Sequence, residues 1–141
     1  MRLFVTATAL LLASATGSLA QDAASGEKIF AQCKACHQIG ANAKNAVGPH
    51  LNGLFGRKAG TVEGYSYSPA NKNSGIAWDE ATFTDYIKDP RAKIPGTKMI
   101  YPGLKDEQRI KDLIGFLKQF DASGNRTSHI DRVRVAEQRN E

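Results

Sequence analysis

The sequence predicts an all-α fold, a few helices joined by long loops. Three observations carry that expectation. The stretch from Lys105 to Phe120 holds Ile110, Leu113, Ile114 and Leu117 at helical spacing, widened by Phe116 and Phe120. No alternating apolar run is long enough to argue for a sheet. Between Gly40 and Gly75, glycine, proline and asparagine recur too often for long regular elements, so loops and turns are expected there.

The elements follow in order. Ala24 to Gln32 reads as a short helix with Gly26, Ile29, Phe30 and Cys33 on one face. Asp79 is placed to cap a helix running to Asp89, with Phe83, Tyr86 and Ile87 inward and Pro90 ending it. Ile94 to Gly103 holds two prolines and two glycines and reads as a loop. In the Lys105–Phe120 helix, Asp106 and Glu107 sit near the positive end and Lys118 near the negative end, as the helix dipole prefers.

The two ends differ from the middle. Met1-Arg2, an apolar run from Leu3 to Ala15 and the small residues Ser18 and Ala20 read as a secretory signal cleaved after Ala20. The alternative, an uncleaved anchor, wants a longer apolar stretch of about 20 residues. Export to the periplasm is therefore expected, with a folded domain over 21–121. The segment 122–141 is polar and charged and reads as a flexible tail. The 19 basic and 14 acidic side chains leave a formal charge of +5. Without Arg2 the excess falls to about +4, and no basic tract interleaves with aromatics, so nucleic acid is not an expected partner.

The chemistry concentrates in Cys33-Lys34-Ala35-Cys36-His37. On a helix, cysteines three apart lie nearly one turn apart, so both thiols can reach the vinyl groups of one porphyrin, and the adjacent histidine can ligate its iron. A thioredoxin-like pair would want a βαβ pattern, which is not visible. A zinc site would want four ligands, whereas the chain has two cysteines and three widely spread histidines. A disulfide spanning two residues would staple almost nothing. One haem c attached at Cys33 and Cys36 is the expectation, and such a group would supply core that the loop-rich middle lacks. Met99, in Pro95-Gly96-Thr97-Lys98-Met99, is the candidate for the sixth ligand: its thioether is a soft ligand on an irregular loop. His50 and His129 read as exposed loop and tail histidines.

These residues occur in order with Gly48-Pro49, Arg57-Lys58-Ala59-Gly60, Tyr67, Asn71, Gly75-Ile76-Ala77-Trp78 and the Met99 loop. The ordered set resembles class I cytochrome c, the family of mitochondrial cytochrome c and its soluble bacterial counterparts, over roughly residues 22–120. The resemblance implies the compact fold of that family wrapped around one covalent haem, its first and last helices crossing where Gly26 and Phe30 meet Leu113 and Phe116. It makes His37 and Met99 the axial ligands and Cys33 and Cys36 the thioether attachments. The Pro49 carbonyl would fix the His37 ring. Arg57, Tyr67 and Trp78 would bond the buried propionate, while Asn71, Tyr86 and Thr97 would form a polar network beside the methionine.

Function follows from the same resemblance. Filled axial positions leave one-electron outer-sphere transfer rather than enzyme chemistry. A monomeric carrier is implied, moving electrons from quinol–cytochrome c oxidoreductase to a cytochrome c oxidase or a photosynthetic reaction centre. Its encounters would be transient and steered by Lys34, Arg91, Lys98 and Lys105, with Lys44 adding charge. The ring of positive charge is thinner than in mitochondrial forms, since Ala46, Ala92, Asp106 and Glu107 occupy places often basic there. Tyr101 stands where phenylalanine is usual. An enzyme or gas sensor with an accessible iron is the rival, and it would require Met99 to be unbound.

Overall fold

A computed structural model describes residues 21–127. The expected leader, His129 and the rest of the tail lie outside that range. Five helices follow one another: α1 (Ala23–Phe30), α2 (Pro69–Lys72), α3 (Glu80–Lys88), α4 (Pro90–Lys93) and α5 (Glu107–Leu117). Among the described residues the only β pairing is two isolated bridges, Lys58 with Ala77 and Phe120 with Arg126.

Each longer helix starts where a side chain satisfies its free N–H groups. Asp22 accepts from the N–H groups of Ala24 and Ser25, Asp79 from Thr82, and Asp106 from Arg109. Such caps contribute about 1 kcal/mol each. Pro90 does not simply end α3. It opens α4 at the first helical position, where a missing N–H costs nothing and φ is already set, with Asp89 capping through Ala92. The loop expected over Gly40–Gly75 likewise contains α2, capped by Ser68 and begun by Pro69. Both departures are four-residue helices, too short to show a hydrophobic period.

The core forms where α1 crosses α5. Phe30, Ile110, Leu113, Ile114, Phe116 and Leu117 are all but sealed from solvent. Phe30 packs on Phe116 with ring centroids 5.2 Å apart. Gly26 permits the approach, because a Cβ there would lie 2.0 Å from the Asp112 carbonyl oxygen and 2.8 Å from Phe116 Cβ. The Asp112 carboxylate, buried at 7 % exposure, accepts from the Asp22 N–H at 3.0 Å and from Gln108 at 2.9 Å. A buried carboxylate needs such donors, and these tie the start of α1 to α5.

The packing continues beyond α5. Arg126 pairs with Glu27 at 3.1 Å and lies over the rings of Phe116 and Phe120 at 5.8 and 5.3 Å. The Thr127 N–H donates to the Gln119 carbonyl at 2.7 Å. The folded turn therefore reaches Thr127, past the boundary expected at residue 121.

Candidate haem-binding site

The chain leaves α1 in tightened turns rather than stopping. The N–H groups of Ala31, Gln32 and Cys33 each bond the carbonyl three residues back, and His37 bonds the Cys33 carbonyl at 2.9 Å. This continuation carries Cys33, Cys36 and His37 to one wall of a cavity of about 460 Å³. Burial first, and then Cys36, push the Cys33 thiol up to about 11. A redox dithiol needs its thiolate near neutral pH, so this environment does not suit thioredoxin-like chemistry.

The His37 ring is held from behind. Its Nδ1 lies 2.7 Å from the Pro49 carbonyl oxygen, the geometry of an N–H donated to that acceptor, which leaves Nε2 free. Gly48 makes room for it: a Cβ there would lie 2.3 Å from the ring carbon Cε1. Burial holds the imidazole below its usual pKa, partly offset by the Pro49 bond, so the neutral form suited to a metal is favoured.

Met99 lines the same cavity. Its sulfur accepts from the Tyr86 hydroxyl at 3.2 Å, and its N–H bonds the Thr97 hydroxyl at 3.3 Å. Burial raises the Tyr86 pKa against the hydrogen bonds of Thr97 and Asn71, so the phenol keeps its proton. Asn71 Oδ1 accepts from the Ser68 hydroxyl at 2.8 Å. Asn71, Tyr86 and Thr97 line the same cavity as Met99.

Arg57, Tyr67 and Trp78 line the cavity too. The Arg57 guanidinium is half-buried and forms no ion pair among the described residues. It donates to the Asn52 and His50 carbonyls at 2.8 and 3.4 Å. The Tyr67 hydroxyl accepts from the Val62 N–H at 3.3 Å. Trp78 meets Tyr86 edge-on, with centroids 4.9 Å apart. A half-buried cation facing an apolar cavity, without a carboxylate of its own, suits a ligand that is a large apolar plate bearing acidic groups. Haem meets that description, and paired thiols and an oriented imidazole lie beside it. The residues fit the group.

Two features escaped the sequence. Val47 and Ile100 stand at the cavity edge with 73 % and 85 % exposure, which apolar identity alone does not announce. His50 is not an exposed loop histidine: it is half-buried, and its Nδ1 is shielded without a hydrogen-bond partner. The packing of the 45–52 loop beside Arg57 causes this, and no local pattern reports it.

A helical domain that sets a C-x-x-C-H turn, an oriented histidine and a loop methionine around one apolar cavity defines a c-type haem protein. The sequence model of the cytochrome c family matches residues 23–121, and the chain belongs to that family of haem c electron-transfer proteins. It is 60 % identical over 126 residues to cytochrome c2 of Blastochloris viridis, covering 89 % of this chain and 99 % of that one. Cytochrome c-550 of Bradyrhizobium diazoefficiens is 64 % identical over 102 residues, 72 % of this chain and 75 % of its own. Among solved structures, cytochrome cH from Methylobacterium extorquens superposes with a TM-score of 0.65 at 50 % identity, covering 69 % of this chain and 97 % of that one.

Proposed function

We propose that this chain is a periplasmic, monomeric one-electron carrier whose haem is bound through Cys33 and Cys36 and ligated by His37 and Met99. The observation that carries the reading is the pair of fixed donors lining one cavity: His37 held by the Pro49 carbonyl and Met99 sulfur held by Tyr86. Bound haem supplies an iron that gains or loses one electron. The chain supplies the rest. Rigidly held side chains suit both oxidation states with little rearrangement, and apolar walls keep water away. Arg57, with Tyr67 and Trp78, would neutralise and bond the buried propionate.

The cavity edge suits brief encounters. Val47 and Ile100 offer a small apolar contact, Lys98 lines the same cavity, and Lys34 lines a second one that shares Phe30 and His37 with it. Electron-transfer complexes of this kind bury under about 1,200 Å² and weaken with salt. The expected donor is quinol–cytochrome c oxidoreductase, and the expected acceptor a terminal oxidase or photosynthetic reaction centre.

The visible spectrum of the exported protein, ferric and then ferrous, tests the reading. A sharp low-spin ferrous spectrum with the weak far-red ferric band of sulfur-to-iron charge transfer supports His/Met ligation. Haem without that band would remove Met99 from the ligand set, and absence of haem would overturn the reading.

A further inference from the structure

We propose that Asn52 is a positioning residue for the axial histidine: its side chain holds the segment that carries the Pro49 carbonyl against His37. The proposal rests on the His37 ligation read above and names what keeps that ligand in place.

Two segments run side by side here, 36–40 and 48–52. The Gly48 N–H donates to the Cys36 carbonyl at 2.8 Å, and the Leu51 N–H to the Gln38 carbonyl at 2.9 Å. Pro49 lies between these two rungs, without an N–H of its own, and its carbonyl oxygen is 2.7 Å from His37 Nδ1. The next rung is not made by backbone alone. At Gly40 the chain turns away with a φ of 116°. There the Asn52 carboxamide takes over: Oδ1 accepts from the Gly40 N–H at 2.8 Å, and Nδ2 donates to the Gly40 carbonyl at 2.9 Å. A side-chain amide offers the donor and the acceptor of a peptide, so Asn52 closes the ladder where backbone pairing stops.

The rung is shielded from water. Asn52 is 6 % exposed, and the turn after α5 lies on it. At Gly124, where φ is 80°, a Cβ would fall 2.1 Å from the Gly40 carbonyl oxygen and 2.5 Å from Asn52 Nδ2. The neighbouring Gly53 N–H donates to the Phe120 carbonyl at 3.3 Å. Asn52 thus joins the end of α5 to the segment that fixes His37. The Pro49 bond gives the imidazole electron density, so loosening it leaves a poorer donor to ferric iron and raises the midpoint potential. The Asn52 main-chain carbonyl receives Arg57 Nη1 at 2.8 Å, a second route by which a variant could move the potential. The His37 Nδ1 proton is therefore the readout that decides.

The test is NMR hydrogen exchange at His37 Nδ1, with voltammetry and urea unfolding, on haem-bearing protein. Asn52→Leu keeps the side chain's size and removes both bonds, and Gly124→Ala disturbs the same rung from the α5 side. Both should quicken exchange of the Nδ1 proton about tenfold and raise the potential. Gly26→Ala, which destabilises the distant helix crossing, should change neither. Asn52→Leu that loses stability yet keeps the wild-type exchange rate and potential overturns the positioning role and leaves His37 ligation standing. Should Asn52→Leu fail to fold, Gly124→Ala decides by the same two readouts. A wild-type Nδ1 proton with no haem-induced displacement of its resonance overturns the ligation reading and the proposal with it.

Discussion

The Tyr86 hydroxyl donates to the Met99 sulfur across 3.2 Å, joining a buried phenol on α3 to a methionine on the loop after α4. Neither residue is remote from the cavity, and each limits the other. Tyr86 is 6 % exposed and braced edge-on by Trp78, so the donor cannot swing away. Met99 is the only methionine besides Met1, and the Thr97 hydroxyl fixes its backbone.

Tyr86→Phe should keep the fold and the attached haem while removing that donor. The loss of stability should stay near 1 kcal/mol, the usual net value of one hydrogen bond. On the proposed His37/Met99 ligation the midpoint potential should fall, because a sulfur freed of its donor would give more electron density to the ferric iron. Voltammetry checks it, and an unchanged potential would separate Tyr86 from the ligand.

Met99→Ala should leave the haem mass on the chain, since Cys33 and Cys36 are untouched. Ferric protein should then bind added cyanide or imidazole readily and lose the far-red charge-transfer band. Titration followed by absorbance decides it. Ligand binding no easier than in the wild type would remove Met99 from the iron.

Gly26→Ala should be costly despite alanine's better helix propensity. The added methyl meets the Asp112 carbonyl, which belongs to a helix backbone and cannot yield locally. Overpacking of this kind costs about 1–3 kcal/mol or more, against about 1 kcal/mol gained in propensity. A lower urea midpoint with unchanged slope is expected. A midpoint equal to wild type would mean that the helices separate easily at this crossing.

Neutralising Lys98 and Lys105 together, as glutamines, should slow reaction with an isolated membrane redox complex. Stopped-flow rates should differ from wild type more at low salt than at high salt, because screening removes long-range attraction. Lys98 Nζ also bonds the Ser66 carbonyl at 2.9 Å, so the variant's thermal stability should be measured alongside. An effect independent of salt would count against steering.

His50 should contribute a pH slope. Burial first, and then Arg57, lower its pKa below the ordinary 6.5. Below that value the unfolded chain binds the proton more readily than the folded one, so stability should fall as acidity rises. The slope should flatten in His50→Asn, read from urea midpoints on either side of about pH 6. An identical slope in both proteins would place the proton uptake elsewhere.

Much of the site was legible because its residues are spaced by local geometry. C-x-x-C-H is a statement about one helical turn, and the Asp79 cap acts within three residues of itself. The α5 stripe is long enough for its period to show, whereas α2 and α4 are single turns begun by proline and leave no such trace. The boundary near residue 121 followed a drop in apolar content. Arg126 crosses it by packing its guanidinium on rings, a contact that composition does not record.

The sequence by itself determined the all-α class, the principal helices, the thiol pair with its histidine and the cytochrome c resemblance, since each depends on residues close in the chain or on their order. Tertiary structure decided which groups touch. It set Gly26 against the Asp112 carbonyl, Gly48 against the His37 ring and Tyr86 against Met99. It shielded His50 and left Val47 and Ile100 in solvent. These are contacts and exposures created when loops fold over a common cavity, and short-range periodicity carries no information about distances closed only by the whole chain.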